Sequence, residues 1–308
     1  MAEAAARIAG RVHRTPLATS RQLDAASGAT IVLKCEQLQK VGAFKARGAA
    51  NAVWSLDDAV ASRGVAAHSS GNHAQALAWA AQSRGISATV VMPRTVSPVK
   101  IAAVEGYGAR IVWCEPTEAS RRETLAQVVD ATGATEVHPY DDPRVIAGAG
   151  TAARELLADR PELDLLVTPV GGGGLLSGTC LVRDDREVWG AEPLGADDAA
   201  RSLAAGEVIP QDAPDTMADG LLTSLSPRTF AIISAHVSRI ATVSEDEITA
   251  AMRFVWERLK FVIEPSAAVG VAVALRGEMA GRRVGIVLTG GNVDLSRLPW
   301  SSSPPAGG

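Results

Sequence analysis

Short apolar runs alternate with longer helical patterns from residue 30 to residue 192, and this alternation constrains the fold more than any other feature of the chain. Strands and helices that alternate at this spacing form βαβ units on a parallel sheet. The predicted strands are 31–35, 65–69, 88–92, 109–114, 135–138, 165–169 and 187–191. The predicted helices are 44–56, 73–84, 97–106, 117–131, 143–158 and 174–182. The pattern therefore predicts an α/β protein.

The C-terminal part continues in the same way. Ser244 and a glutamate three residues later predict a capped helix over 245–260. A helix over 266–275 and a strand over 284–288 follow. The last eight residues, SSSPPAGG, contain too few apolar side chains to pack, so we expect a disordered tail.

Composition and charge exclude several function classes. The chain has 308 residues, which is enough for two domains. A net charge of -4 and a pI near 5.8 argue against nucleic acid or an anionic membrane as a partner. The three cysteines are scattered, and the N-terminus is neither a signal peptide nor a membrane span. We expect a cytoplasmic protein that acts on a small molecule.

Lys45 follows Gly42-Ala43-Phe44 and precedes small helix-forming residues, so a helix can start near Ala43 with Lys45 in its first turn. The positive end of a helix disfavours a second positive charge, which lowers the pKa of an amine there. A neutral amine can form an imine with an aldehyde. A lone lysine at a helix start is more often a solvated surface residue, so this position gains meaning only from the rest of the chain.

Polar or glycine-rich segments follow four of the predicted strands. In open α/β sheets, ligands bind beyond the carboxyl ends of the strands. Residues 70–75 follow one strand and four consecutive glycines follow another. Glu192 and the Thr289-Gly290-Gly291-Asn292 segment follow two more. We expect these segments to contribute to one site.

The glycines Gly171, Gly172, Gly173 and Gly174 stand directly before a predicted helix. Their N–H groups can point at one spot and bind an anion. The segment is not G-x-G-x-x-G and no G-K-[ST] follows, which disfavours dinucleotides and nucleoside triphosphates. A single phosphate group is the better interpretation, and a flexible turn before a helix is the alternative.

Two further segments each allow two interpretations. The first-turn N–H groups near Ser70-Gly71-Asn72-His73 suit a carboxylate, whereas simple N-capping by Ser70 or Asn72 is the alternative. Glu192 and Asp198 lie six residues apart, with the carbonyl of Ala196 between them. They could hold a hard cation together with waters. Two acids on a loop are more often simply solvated.

Taken together, the motifs resemble the fold-type II family of pyridoxal 5'-phosphate enzymes, specifically its serine/threonine dehydratase and serine racemase branch. The resemblance covers nearly the whole chain and is carried by GAFKARGA, SSGNHAQALAWAAQ, VGGGGLLSG, AEPLGADD, TMADGL, VWERLKFVIEPSAAVG and LTGGNVDL. It implies two open, twisted, mostly parallel sheets flanked by helices, as in tryptophan synthase β-like proteins. The expected domains are a large one over 1–56 and 142–308 and a small mobile one over 64–140, with the active site in the cleft between them. A homodimer is the family expectation.

The resemblance also implies roles for individual residues. Lys45 is the lysine that binds pyridoxal phosphate covalently and serves as general base, and Phe44 packs beside the cofactor ring. Gly171, Gly172, Gly173 and Gly174 hold its phosphate, Asn72 bonds its 3'-oxygen and Thr289 faces its ring nitrogen. The loop formed by Ser69, Ser70, Asn72 and His73 takes the substrate carboxylate. Glu192, Ala196 and Asp198 match the family's site for a divalent cation such as Mg²⁺, Ca²⁺ or Mn²⁺.

These roles predict β-elimination of L-serine or L-threonine, which releases pyruvate or 2-oxobutanoate and ammonia. Serine racemisation is the first alternative, because Ser70 matches the serine that acts on the face opposite the lysine in this family's racemases. Dehydration of 3-hydroxyaspartate is the second, since such enzymes also carry serine there. Tyr140 replaces the asparagine or phenylalanine expected after His-Pro, which leaves the substrate open. A non-catalytic binding protein and a hydride-transferring dehydrogenase are the readings from other function classes.

Overall fold

Two parallel β-sheets flanked by helices, as the alternation predicts, form the framework of the computed structural model, which describes residues 1–300. The expected disordered tail lies outside the described residues. The strands are β1 (Leu17–Ala18), β2 (Thr30–Cys35), β3 (Val65–His68), β4 (Ala88–Pro93), β5 (Arg110–Cys114), β6 (Thr135–Glu136), β7 (Leu165–Pro169), β8 (Glu187–Pro193), β9 (Arg239–Val243) and β10 (Arg283–Leu288). The α-helices are α1 (Ala2–Ile8), α2 (Arg21–Ser27), α3 (Lys45–Trp54), α4 (Asp58–Ala61), α5 (Asn72–Arg84), α6 (Pro98–Gly106), α7 (Glu118–Thr132), α8 (Pro143–Asp159), α9 (Gly174–Cys180), α10 (Asp198–Ala205), α11 (Pro227–His236), α12 (Glu245–Phe254) and α13 (Pro265–Leu275).

Contacts divide the chain into two compact units. The first unit comprises residues 1–13 and 39–151, and the second comprises the remaining described residues. The predicted division assigns residues 1–56 to the larger domain, whereas α3 packs against α5 within the first unit. Which segments move together stays a prediction.

The first unit contains the four-stranded sheet, in the order β5-β4-β3-β6, with every pair parallel. Helix α5 buries a row of small side chains, including Ala74, Ala78 and Ala81, in the core shared with α3. Small side chains let two helices approach closely. The start of α3 is thereby positioned beside the start of α5.

The second unit contains the six-stranded sheet, in the order β1-β2-β10-β7-β8-β9. Only β1 is antiparallel to its neighbour. Strand β7 is buried throughout and β10 is buried after its first residue, and both consist mainly of apolar residues, which is typical of parallel strands covered by helices on both faces. The parallel order brings the carboxyl ends of β10, β7 and β8 to one edge as neighbours.

Several details differ from the predicted elements. Strand β6 ends at Glu136 rather than at 138, and the helix predicted over 245–260 becomes π-helical at 255–259. The capping box at its start is confirmed, since Ser244 and Glu247 bond each other's backbone N–H groups. The segments around 2–8, 21–27, 198–205, 227–236 and 239–243 were not predicted as elements. Every helix described between residues 1 and 300 is too short or too polar to span a lipid bilayer.

A glycine contact between α3 and α8 provides a test of this packing. A Cβ atom added to Gly148 would lie 2.4 Å from the carbonyl oxygen of Arg47, which is main chain and cannot rotate away. We expect Gly148→Ala to lower the free energy of unfolding by about 1–3 kcal/mol, measured by urea denaturation. The control is Gly106→Ala on α6, where a Cβ meets nothing within 4 Å. That variant should be neutral or more stable, and equal losses in both would contradict the close approach.

Candidate active site

Lys45 is the first residue of α3, with Phe44 in the N-cap position, so the predicted placement of Lys45 in the first turn of a helix is confirmed and the helix begins one residue later than predicted. Its Nζ donates a hydrogen bond to the carbonyl oxygen of Pro139 at 2.9 Å. The same amine lies 5.2 Å from the centre of the Phe44 ring. Pro139 follows β6, so the amine is held near the carboxyl edge of the four-stranded sheet. This geometry contradicts the surface-lysine alternative, because the side chain is partly buried and bonded inward.

The loop over residues 69–71 connects β3 to α5. Gly71 occupies the N-cap position of α5, and no side chain caps the helix. The capping alternative for Ser70 or Asn72 is therefore wrong. The first-turn N–H groups of a helix need an external acceptor, and a carboxylate suits them. A Cβ on Gly71 would meet nothing within 4 Å, so there is open space at this point.

His73 belongs to the first turn of α5, but its ring points into the protein. Its Nε2 lies 2.8 Å from the carbonyl oxygen of Val137, so this nitrogen carries the proton and donates it. Burial, and secondarily the charge of Lys45, lowers the pKa of His73 to about 3. The imidazole is therefore neutral at physiological pH and serves to fix the loop. What His73 can offer a ligand is its main-chain N–H.

His138 and Tyr140, on either side of Pro139, were not predicted as site residues. The Nδ1 atom of His138 accepts a hydrogen bond from the N–H of Asp141 at 2.9 Å. Its ring contacts those of Tyr140 and His68 edge-on, with centroid distances of 4.6 and 5.9 Å. Burial lowers the pKa of His138 to about 4. The rule that ligands bind beyond the carboxyl ends of parallel strands, which we call the strand-end rule, could have identified them, because both residues follow β6.

In the second unit, the glycine segment follows β7 and leads into α9. Gly173 has a φ of +85°, and a Cβ there would lie 2.8 Å from Leu225 Cδ2. A Cβ on Gly171 would lie 3.0 Å from the Cα of Leu221. A side chain would be strained at the first position and crowded at both, which explains why glycine stands here. The N–H groups that begin α9, at Gly174, have no side-chain cap.

Thr289 directly follows β10 and is 4% exposed. Its hydroxyl has no hydrogen-bond partner among residues 1–300. An unsatisfied buried hydroxyl costs about 1–3 kcal/mol, and a ligand acceptor or donor at this position would remove that cost. This observation fits a ring nitrogen that the hydroxyl would face.

The acidic pair Glu192 and Asp198 is buried, with each residue 1% exposed, so the solvated-acid alternative is wrong. Glu192 lies within β8 rather than after it. Burial raises the pKa of Glu192 to about 9 and that of Asp198 to about 6. The Oε1 atom of Glu192 accepts the N–H of Ala200 at 2.7 Å, while Asp198 Oδ2 has no partner in the described part of the chain.

A metal centre built from three or more histidine, cysteine, aspartate or glutamate side chains is not found within residues 1–300. Glu192, Asp198 and the carbonyl of Ala196 form a smaller, mixed oxygen set. Ala196 ends a 3₁₀ turn that separates the two acids. Oxygen donors of this kind suit a hard divalent cation that keeps several waters.

The predicted site residues thus form two groups. The first unit brings together Lys45, Phe44 and the loop of Ser69, Ser70, Asn72 and His73, at the start of α3 and α5. The second unit brings together the glycine segment, Thr289 and the acidic pair, at the carboxyl ends of the adjacent strands β7, β10 and β8. The grouping follows from parallel pairing within each sheet.

Comparisons with known proteins agree with these features. Residues 8–290 match the model of a family described as pyridoxal-phosphate dependent enzyme. The chain is 52% identical to the β-hydroxyaspartate dehydratase of Paracoccus denitrificans over 301 residues, with 96% of each chain covered. It is 45% identical to the serine racemase of Dictyostelium discoideum, with 96% of this chain and 94% of that protein covered.

A solved structure shows the same architecture. Maize serine racemase superimposes with a TM-score of 0.94 at 42% identity, covering 96% of this chain and 93% of that one. The family match, the two relatives and this likeness agree with the predicted resemblance. The chain therefore belongs to the pyridoxal-phosphate dependent enzymes of fold type II, in the branch of serine/threonine dehydratases and serine racemases.

Proposed function

We propose that this protein is an ammonia-lyase that eliminates the β-hydroxyl group of a hydroxy amino acid, with 3-hydroxyaspartate as its first candidate substrate. The observation that carries the proposal is the placement of Lys45, whose amine is held at the start of α3 by the Pro139 carbonyl. The 52% identity to a β-hydroxyaspartate dehydratase supports this substrate over serine or threonine. The products would be oxaloacetate and ammonia.

The residues present fit pyridoxal phosphate. Gly171 to Gly174 would hold its phosphate through main-chain N–H groups, and the start of α9 at Gly174 has no side-chain cap. Thr289 would face its ring nitrogen with a hydroxyl that has no partner among the described residues. Phe44 would pack beside the ring and Asn72 would bond the 3'-oxygen. When bound, the cofactor links to the substrate amine and withdraws electrons from Cα, which acidifies the α-proton.

Lys45 would take the α-proton once its amine is released by the incoming substrate amine. Its hydrogen bond to the carbonyl oxygen of Pro139 helps to orient the nitrogen. A general base must lie within hydrogen-bond reach of the proton that it abstracts. The rigid start of α3 therefore contributes orientation as well as basicity.

The loop of Ser69, Ser70, Asn72 and His73 would bind the substrate α-carboxylate. Its strongest donors are the uncapped N–H groups at the start of α5, which also carry the positive end of the helix dipole. His73 contributes through its main chain, because its ring is bonded to Val137. The neutral ring keeps a competing positive charge away from Lys45.

Serine racemisation is a second candidate function, favoured by the partly exposed Ser70 and by the 45% identity to a serine racemase. It needs a proton donor on the face of Cα opposite Lys45, and Ser70 would supply it. Elimination and racemisation share the first proton transfer, so one site can perform both. We expect elimination to be the faster outcome.

The proposal also includes a bound divalent cation, a homodimeric assembly and a cellular location for the protein. Glu192, Ala196 and Asp198 would hold Mg²⁺, Ca²⁺ or Mn²⁺, supported by the burial of both acids. A homodimer, a cytoplasmic location and a cofactor site between the two predicted domains stay predictions.

The assignment of Lys45 is tested by replacing it with alanine. We expect Lys45→Ala to lower 2-oxo acid release from 3-hydroxyaspartate by at least about 10²–10⁴-fold, because the general base is lost. The same assay with serine and threonine should give lower kcat/KM values for the wild type. Lys40→Ala, a nearby lysine outside the site, is the control. Retained elimination without Lys45 would refute the base assignment, whereas a preference for serine would overturn only the substrate.

The role of Ser70 is tested by separating the two outcomes from L-serine. Ser70→Ala should abolish D-serine formation, measured by chiral chromatography, and keep much of the pyruvate release. The reason is that only re-protonation on the opposite face needs the hydroxyl. Ser83→Ala, at an exposed serine near the end of α5, serves as the control and should retain both products. D-serine formation by Ser70→Ala at the wild-type rate would remove Ser70 from the mechanism.

The acidic pair predicts a pH-dependent response to cations. Without metal, folded Glu192 keeps a proton up to about pH 9, whereas the ordinary pKa of 4.5 applies when the chain is unfolded. The unfolded state therefore binds fewer protons in this window, and stability falls as pH rises through it. We expect Tm in a chelator to fall between pH 6 and 9, and Mg²⁺ to raise Tm more at pH 9 than at pH 6.

Glu192→Gln should flatten both effects, because the amide neither titrates nor binds a cation strongly. Asp197→Asn is the matched control on the same turn, since Asp197 is paired with Arg201 at 2.7 Å. That variant should keep the magnesium response. An unchanged response in Glu192→Gln would show that the cation binds elsewhere.

A further inference from the structure

Arg47 lies two residues after Lys45 on α3 and is 0% exposed. Its Nη2 donates to the carbonyl oxygen of His13 at 3.3 Å, and its Nη1 donates to the hydroxyl of Thr151 at 3.2 Å. A buried guanidinium is costly unless its N–H groups are bonded. Arg47 therefore holds both partners firmly against the first turns of α3.

Gln39 holds His13 from the other side. The Oε1 atom of Gln39 accepts the N–H of His13 at 2.8 Å, and its Nε2 donates to the His13 carbonyl at 2.8 Å. The same Oε1 accepts the N–H of Lys40. Gln39 is 4% exposed, so these bonds are shielded from water. The main chain of His13 is thus clamped between Gln39 and Arg47.

The chain passes from one unit to the other at His13, Gln39 and Thr151. His13 ends the first segment of the first unit, Gln39 begins its second segment and Thr151 ends it. These positions are distant in sequence, yet the hydrogen bonds of two side chains join all three. We call Gln39, Arg47, His13 and Thr151 the crossover clasp.

The turn between Gln39 and Lys45 is strained. Val41 has a φ of +54°, and Gly42 has a φ of +68°. A β-branched residue in the left-handed region is a genuine outlier that persists only where the surroundings enforce it. The hydrogen bonds of Gln39 hold the start of the turn, and those of Arg47 hold the helix that follows its end. Together they keep Val41 in this conformation. The turn leads directly into Ala43 and the start of α3.

We propose that Gln39 and Arg47 are positioning residues that set the location of the Lys45 amine by holding the crossover clasp closed. The consequence for catalysis rests on the proposed role of Lys45, whereas the clasp itself does not. Opening the clasp would release the strained turn and let the first turn of α3 shift. A shift of about 1 Å at a reacting group can cost about 100-fold in rate.

If Arg47 had only a structural role, replacing it would lower the stability of the protein without a specific effect on Lys45. Arg84 provides a matched control for this alternative. Arg84 is also largely buried in the first unit, with its side chain 10% exposed. It donates to the carbonyl of Val53 at 2.5 Å and to Asp58 at 2.8 Å. It therefore holds the other end of the same helix, far along α3 from Lys45.

The experiment compares Arg47→Met with Arg84→Met by hydrogen exchange on the cofactor-free protein and by kinetics on the loaded enzyme. We expect Arg47→Met to speed amide exchange at residues 39–47 by about tenfold or more relative to Arg84→Met, which should act instead near residues 51–58. Arg47→Met should lower kcat by about 10- to 100-fold with little change in KM. Arg84→Met at equal stability should keep kcat.

If Arg47→Met gives no folded protein, Thr151→Val and Gln39→Met decide the question, because each removes only part of the clasp. Either should reproduce faster exchange at 39–47 together with a lower kcat. Equal exchange and equal kcat in the clasp variants and the Arg84 control would overturn the proposal. Local exchange without a loss of kcat would also overturn it. Failure of the lyase assignment is separate, since it would show as no 2-oxo acid release by the wild-type enzyme, whereas the exchange comparison at residues 39–47 would still test the clasp.

Discussion

The direct main-chain contact between α3 and α8 positions the first turns of α3, which carry Lys45. Gly148 on α8 has no Cβ, which lets this helix lie against the carbonyl of Arg47. Arg47 belongs to the same helical turn as Lys45. A change in the distance between Gly148 and the Arg47 carbonyl would therefore also move the amine of Lys45. The bond to Pro139 and the clasp at His13 then hold the same turn from two other directions.

Burial shifts the pKa values of ionisable groups in both units and favours the neutral form of each group. In the first unit it keeps His73 and His138 neutral, so that they act as hydrogen-bonding and packing groups near a lysine. In the second unit it leaves Glu192 and Asp198 as acids that hold their protons unusually tightly. The same desolvation therefore removes charge from the histidines and raises the proton affinity of the two acids, and the burial of those acids is what supports the proposed cation site.

The strand-end rule predicted most of the candidate site and also shows where prediction failed. It identified the glycine segment, Thr289, Glu192 and the loop after β3, because each follows a clearly apolar strand. It missed His138 and Tyr140, since β6 is only two residues long and ends before the predicted boundary. Strand β1 has only two residues, too few for a periodic signal, so its pairing with β2 in the tertiary structure decides it.

The sequence by itself determined the α/β class, a helix near residue 44 with Lys45 in its first turn, the capping box at Ser244 and a glycine segment after β7. These are local properties, set by periodicity, capping and backbone freedom within a few residues. The tertiary structure alone decided that Glu192 and Asp198 are buried and that the His73 ring turns inward to Val137. It also decided that Gln39 and Arg47 join His13 to Thr151. These features depend on contacts between residues far apart in the chain, and a local pattern carries no information about which distant groups exclude water or supply a partner.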